Sequence, residues 1–193
     1  MMLQLKQSMS SLAWARWWAA PWLYAHEGWI AVDKQQALNE LCQARRVLKG
    51  TIFAVTPCLP PAPQPTLLQL ALAPADQLEL VLALINSTCR PAHTSEIDES
   101  HLLWCRRLSK ALPSDMLPPE DDPLHLLRVW VTPPIWQRIR LRFPPQRVLN
   151  LEQRGLLADA PHSRLDTLWQ AVVWRATARN SNTTDPYPKE PGD

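Results

Sequence analysis

The sequence predicts an all-α fold: a compact bundle of about six to eight short helices, with Pro-rich connectors and a disordered C-terminal tail. Three observations carry this. Apolar residues recur at three- and four-residue steps along nearly the whole chain. The 20 prolines fall between those periodic segments rather than inside them, where a missing N–H and a fixed φ would break a helix. Apolar residues make up 46% of the 193 and charged residues 20%, enough to bury a core.

Each element follows from its own signals. Lys34 to Lys49 repeats Ala37, Leu38, Leu41, Ala44 and Leu48 on one face, with Asp33 as N-cap and Gly50 as the stop. Pro57, Pro60, Pro61, Pro63 and Pro65 then make a stiff, extended connector. The leucine-rich stretch from Thr66 to Ile85 is divided by Pro74 into two helices, the second facing inward through Leu78, Val81, Leu82 and Ile85.

Glu96 to Leu112 forms the next helix, with Ser95 and Asp98 as a capping pair and His101, Trp104, Cys105 and Leu108 in its stripe. Asp122-Pro123 and Thr132-Pro133 are helix starts, since proline costs nothing at the first helical position. Arg138 to Phe143 alternates like a strand, but Ile135, Ile139 and Phe143 also fit helical spacing; the upstream Thr-Pro cap and Pro144 favour a short helix. Gly155 closes the following helix. The last helix, Arg164 to Arg179, is capped by Ser163 with Asp166 and buries Leu165, Leu168, Trp169, Val172 and Ala176. Residues 1–179 read as one helical domain. Within it, residues 1–56 are Trp-rich, 57–65 form the connector and 66–179 the main helical body, with 180–193 as the tail.

Composition excludes several classes. A formal net charge of +2 is too small to argue for nucleic acid or a membrane surface by bulk charge. With 4 glycines, neither G-x-G-x-x-G nor G-x-x-x-x-G-K occurs, so glycine-cradled phosphate sites are out. The four cysteines form no C-x-x-C pair. Leu12 to Ala25 is apolar but is interrupted by Arg16 and Pro21 and filled with bulky tryptophans, unlike an export signal. A cytoplasmic chain with reduced thiols is expected.

Candidate chemistry is sparse. His101 and Cys105 share a helix face at metal-ligand spacing, but no further ligand pair accompanies them, and a half-buried His beside a core Cys is the preferred reading. Asp121, Asp122 and His125 invite acid/base chemistry, yet Asp122 is better explained as a helix cap. No G-x-S-x-G, S-x-x-K or H-E-x-x-H is present. No catalytic residue, cofactor, metal or small-molecule substrate is expected. Six arginines but one acidic residue, Glu152, lie between Arg128 and Arg154, while Glu96 to Asp122 holds seven acidic residues. The two regions can neutralise one another within the fold, or the arginines can meet an acidic partner.

The most informative feature is aromatic. Trp14, Trp17, Trp18, Trp22 and Trp29, with Tyr24, crowd the N-terminal region. So short a segment cannot enclose them all; core packing is preferred, and any left exposed would contact a protein or a membrane interface.

Here the residues resemble a family. Pro21-Trp22-Leu23-Tyr24-Ala25-His26-Glu27-Gly28-Trp29-Ile30 is similar to the N-terminal Pro…Tyr-x-His-Pro-x-Trp pattern of the SctK-family accessory proteins of type III secretion, with Glu27 in place of the usual proline. Trp104 to Leu108 and Trp136 to Phe143 look like that family's tryptophan-plus-arginine helices. The resemblance implies a cytoplasmic, non-catalytic helical adaptor at the inner-membrane face. Its implied partners are the inner-membrane ring protein and a pod protein of the sorting platform, with only indirect membrane contact. It makes Trp18, Trp22, Tyr24, His26 and Trp29, together with Arg138, Arg140, Arg142 and Arg147, candidate partner-binding residues on two surfaces. Two alternatives stand beside it: a peripheral membrane protein anchored by Trp18, Trp22 and Trp29 with Arg16, and a regulator gripping nucleic acid through Arg138, Arg140, Arg142 and Arg147.

Overall fold

Proline placement sets the layout of the chain. In the computed structural model, which describes residues 2–29, 53–91, 97–113, 116–155 and 162–178, eight α-helices and three 3₁₀ turns account for nearly all regular structure, and no strand occurs among the described residues. The all-α expectation holds. The helix expected at Lys34–Lys49 and the tail 180–193 lie outside the described residues.

Helix α1 spans Met2–Ala19 and stops at Pro21, which opens a 3₁₀ turn at Pro21–Tyr24; a second turn follows at Glu27–Trp29. Pro65 at a first-turn position starts α2 (Pro65–Leu72), and Pro74 separates it from α3 (Ala75–Cys89), as the sequence predicts. Helix α4 spans Glu99–Ser109. It starts later than expected because Asp98 is itself the N-cap: its Oδ1 accepts from the His101 amide at 2.9 Å. Ser95, the other half of the expected pair, lies outside the described residues.

Asp122 also caps, accepting from the Leu124 amide at 2.8 Å as α5 (Leu124–Trp130) begins. Helix α6 (Pro133–Ile139) runs into a 3₁₀ turn at Arg140–Arg142, so the ambiguous arginine segment is helical, and Phe143 and Pro144 end it in extended backbone. Helix α7 is Pro145–Gln153 and α8 is His162–Ala178. The last helix begins before Ser163, which corrects the expected cap. Asp166 does not reach back; it accepts the Trp130 indole N–H at 2.5 Å.

One apolar core draws on all eight of these helices. Helix α3 lies against α4 and α8, and its Leu78, Val81, Leu82, Leu84 and Ile85 meet Leu165, Leu168, Trp169 and Val172 of α8 in that core. Each such side chain contributes about 1.5–3 kcal/mol when fully removed from water. The three tryptophans of α1 form one cluster, Trp14 to Trp17 at 5.1 Å and Trp17 to Trp18 at 6.2 Å between ring centroids. Phe53, Val55 and Leu141 form a second, smaller cluster, with Trp22, Ala25 and Trp29 against it. Among the described residues, no helix is long and apolar enough to cross a membrane.

Candidate functional site

The aromatic and arginine segments, which sequence reasoning treats as two surfaces, interlock. The segments 20–26 and 53–58 are extended or tightly turned, so many of their carbonyls lack helical partners. Arginine forks from α6 and the turn after it supply the donors. Arg138 donates through Nε to the Trp18 carbonyl at 3.1 Å, through Nη1 to Pro134 at 2.8 Å and through Nη2 to Thr56 at 3.1 Å. Its guanidinium also lies 3.8 Å from the centroid of the Trp18 ring. Arg140 donates to the Phe53 carbonyl at 2.8 Å and forms a forked pair with both Glu152 oxygens at 3.0 Å. Arg142 bridges the carbonyls of Tyr24 and Ala73.

Burial has an electrostatic signature here. It holds the Arg138 and Arg142 guanidinium groups below their ordinary values, by desolvation of the charged form. Arg138 is only 3% exposed. Within the fold Arg138, and Arg140 beside it at 9% exposed, act as internal braces.

The aromatic residues are held in the same way. Trp18 is buried, and its indole N–H donates to the Cys58 carbonyl at 2.9 Å. Trp22 stacks on Phe53 at 6.3 Å. Trp29 donates to the Phe143 carbonyl at 2.8 Å, with the Arg140 guanidinium 5.6 Å from its ring. The His26 amide donates to Leu141 at 2.7 Å, while its Nδ1 accepts from the Gly28 amide at 3.0 Å. Gly28 is there for space: a Cβ would stand 2.9 Å from Pro145 Cδ. The rings that a membrane reading would use as anchors thus face the protein. From the middle of this braced turn Leu23 projects outward, 73% exposed. Nothing in the local sequence separates Leu23 from the apolar residues beside it, so sequence reasoning passes over it.

Arg147 stands apart, on α7. It forms a bidentate pair with Asp122, Nε to Oδ2 at 2.6 Å and Nη2 to Oδ1 at 3.0 Å, and a longer contact to Glu79 at 3.4 Å. Burial pulls its value down, but Asp122 and then Glu79 more than offset this and raise it. Asp121 sits 3.2 Å from Arg154 and 3.5 Å from His125 Nδ1. Asp121, Asp122, His125, Arg147 and Arg154, with Arg90, line an open cleft of about 400 Å³. The mutual neutralisation of basic and acidic segments expected from sequence is realised here.

His125 is 2% exposed, and its Nε2 lies 3.3 Å from the Leu151 carbonyl oxygen. Cys105 meets the Leu84 carbonyl through Sγ at 3.5 Å, and His101 Nδ1 lies 3.0 Å from Asp98. Among the described residues, no group of three or more His, Cys, Asp or Glu stands close enough to hold a metal. Compared with family models, with curated proteins and with solved structures, the chain has no match in any of the three.

Proposed function

We propose that this chain is a non-catalytic adaptor of a bacterial type III secretion apparatus, working at the cytoplasmic face of the inner membrane. It joins the inner-membrane ring protein to a pod protein of the sorting platform. The residues 21–30 suggest the system. The observation that carries the reading is how the described portion of this segment is mounted. Its turn is fastened through His26 to Leu141, through Trp29 to Phe143 and through Arg142 to Tyr24, and Leu23 stands out from it. A braced apolar projection suits docking, because the ordering cost of binding is met before the partner arrives.

On this reading the arginines and tryptophans give stiffness, and the exposed rim around Leu23 gives contact. Size-exclusion chromatography of the purified chain with its ring and pod proteins tests the proposal. A ternary complex that does not assemble without the chain is expected. Failure to bind either protein rejects the reading.

A further inference from the structure

The connector between the N-terminal segment and α2 is more than a spacer. Every residue from Thr56 to Pro65 is exposed, and the backbone runs without regular structure to a bend at Ala62. Pro57, Pro60 and Pro61 fix φ near about −65°, which favours the polyproline II helix with its roughly three residues per turn.

That run is pinned along one edge. The Trp18 indole donates to the Cys58 carbonyl and the Trp14 indole to the Pro61 carbonyl, each at 2.9 Å. Thr56, just upstream, is held by Gln137 at 3.0 Å and by Arg138 at 3.1 Å. Cys58 and Pro61 are one polyproline turn apart, so both carbonyls address α1 while Leu59 and Pro60 between them are turned away. Leu59 is accordingly 90% exposed, above every other exposed large apolar side chain among the described residues. Among the described residues, the carbonyls of Pro57, Leu59 and Pro60 accept no hydrogen bond.

We propose that Pro57–Pro61 is a docking ligand for a partner protein carrying an aromatic-lined groove of the kind that receives polyproline segments. Pro57-Cys58-Leu59-Pro60 reads P-x-x-P, the spacing such grooves accept. The outward prolines stack between aromatic rings, Leu59 fills an apolar pocket, and the open carbonyls take indole or phenol donors from the groove wall. A free peptide would have to give up backbone freedom at every residue on binding; the arch has surrendered it already to α1. This surface is separate from the Leu23 turn and stands whether or not the adaptor reading does.

The test titrates the full chain, isotope-labelled for NMR, with purified SH3, WW and EVH1 domains as probes. Saturable binding to at least one, with shifts centred on residues 57–61, is expected. Leu59→Asp should weaken it by about tenfold or more, and Trp14→Phe, which removes one pin but no contacting group, by a few-fold. Absence of binding to all three probes, or binding unchanged in Leu59→Asp, overturns the proposal. Concentration-dependent self-association that Leu59→Asp abolishes would assign the arch to a second copy of the chain and overturn it equally.

Discussion

The Arg138 guanidinium lies against the Trp18 ring, 3.8 Å from its centroid, and its Nε donates to the carbonyl of that same tryptophan. One side chain thereby fixes where α1 ends relative to α6, and through Thr56 it also fixes where the connector begins. The arrangement stands in for secondary structure: carbonyls at the end of α1 and the start of the connector are satisfied by one fork.

Arg138→Ala should therefore destabilise the protein by about 2–4 kcal/mol, from lost hydrogen bonds, carbonyls left unmet and the lost cation–π contact. Arg138→Lys should recover only some of this, because an ammonium cannot span the three acceptors. Urea denaturation of both variants measures it. A change below about 0.5 kcal/mol for Arg138→Ala would mean the brace is incidental.

The two described glycines give a paired prediction. Gly28→Ala forces a Cβ to within 2.9 Å of the Pro145 ring, a neighbour that cannot swing aside, and should cost about 1–2 kcal/mol. Gly155→Ala meets nothing within 4 Å and should be neutral or slightly stabilising. Thermal unfolding of the two variants side by side checks the contrast. Equal midpoints would show that the turn at 27–29 does not need its close approach to α7.

Much of the fold is legible in the sequence because helix signals are local. Pro65, Pro74, Asp122 and Thr132 mark starts within a residue or two, and the stripe of α8 is read off its spacing. The corrected boundaries are where two readings of one side chain compete. Asp98 serves as the cap of its own helix, and Asp166 serves an indole rather than its own helix. The site is less legible, because it is made by contacts between residues far apart in the chain, such as Trp29 to Phe143 and Arg138 to Trp18. Sequence shows that aromatics and arginines are abundant; it does not show that they satisfy one another. Arg147 and Asp122 are the exception, since neighbouring blocks of opposite charge announce such a pair.

Cys89 supplies a pH prediction. Burial pushes its thiol up to about 11 from an ordinary value of 9.0, against a smaller opposing pull from Arg90. The unfolded chain therefore releases this proton first as pH rises. The contribution to stability is fully present below about pH 9 and is lost as pH rises through about 11. Between about pH 8 and 10 the wild type should lose about 1 kcal/mol more than Cys89→Ala. Denaturant titrations at the two pH values test this; parallel losses would mean the thiol is freely solvated.

The braced N-terminal turn, on the reading proposed above, presents Leu23 to a partner while its neighbours serve the interior. The most direct measurement is quantitative capture of the ring and pod proteins by wild type, Leu23→Asp and Trp29→Phe, with the melting point of each recorded. Leu23→Asp should keep its melting point and lose capture of one partner by about tenfold or more. Trp29→Phe should do the reverse, melting earlier by a few degrees while the folded fraction still binds. Full capture by a folded Leu23→Asp would contradict the claim.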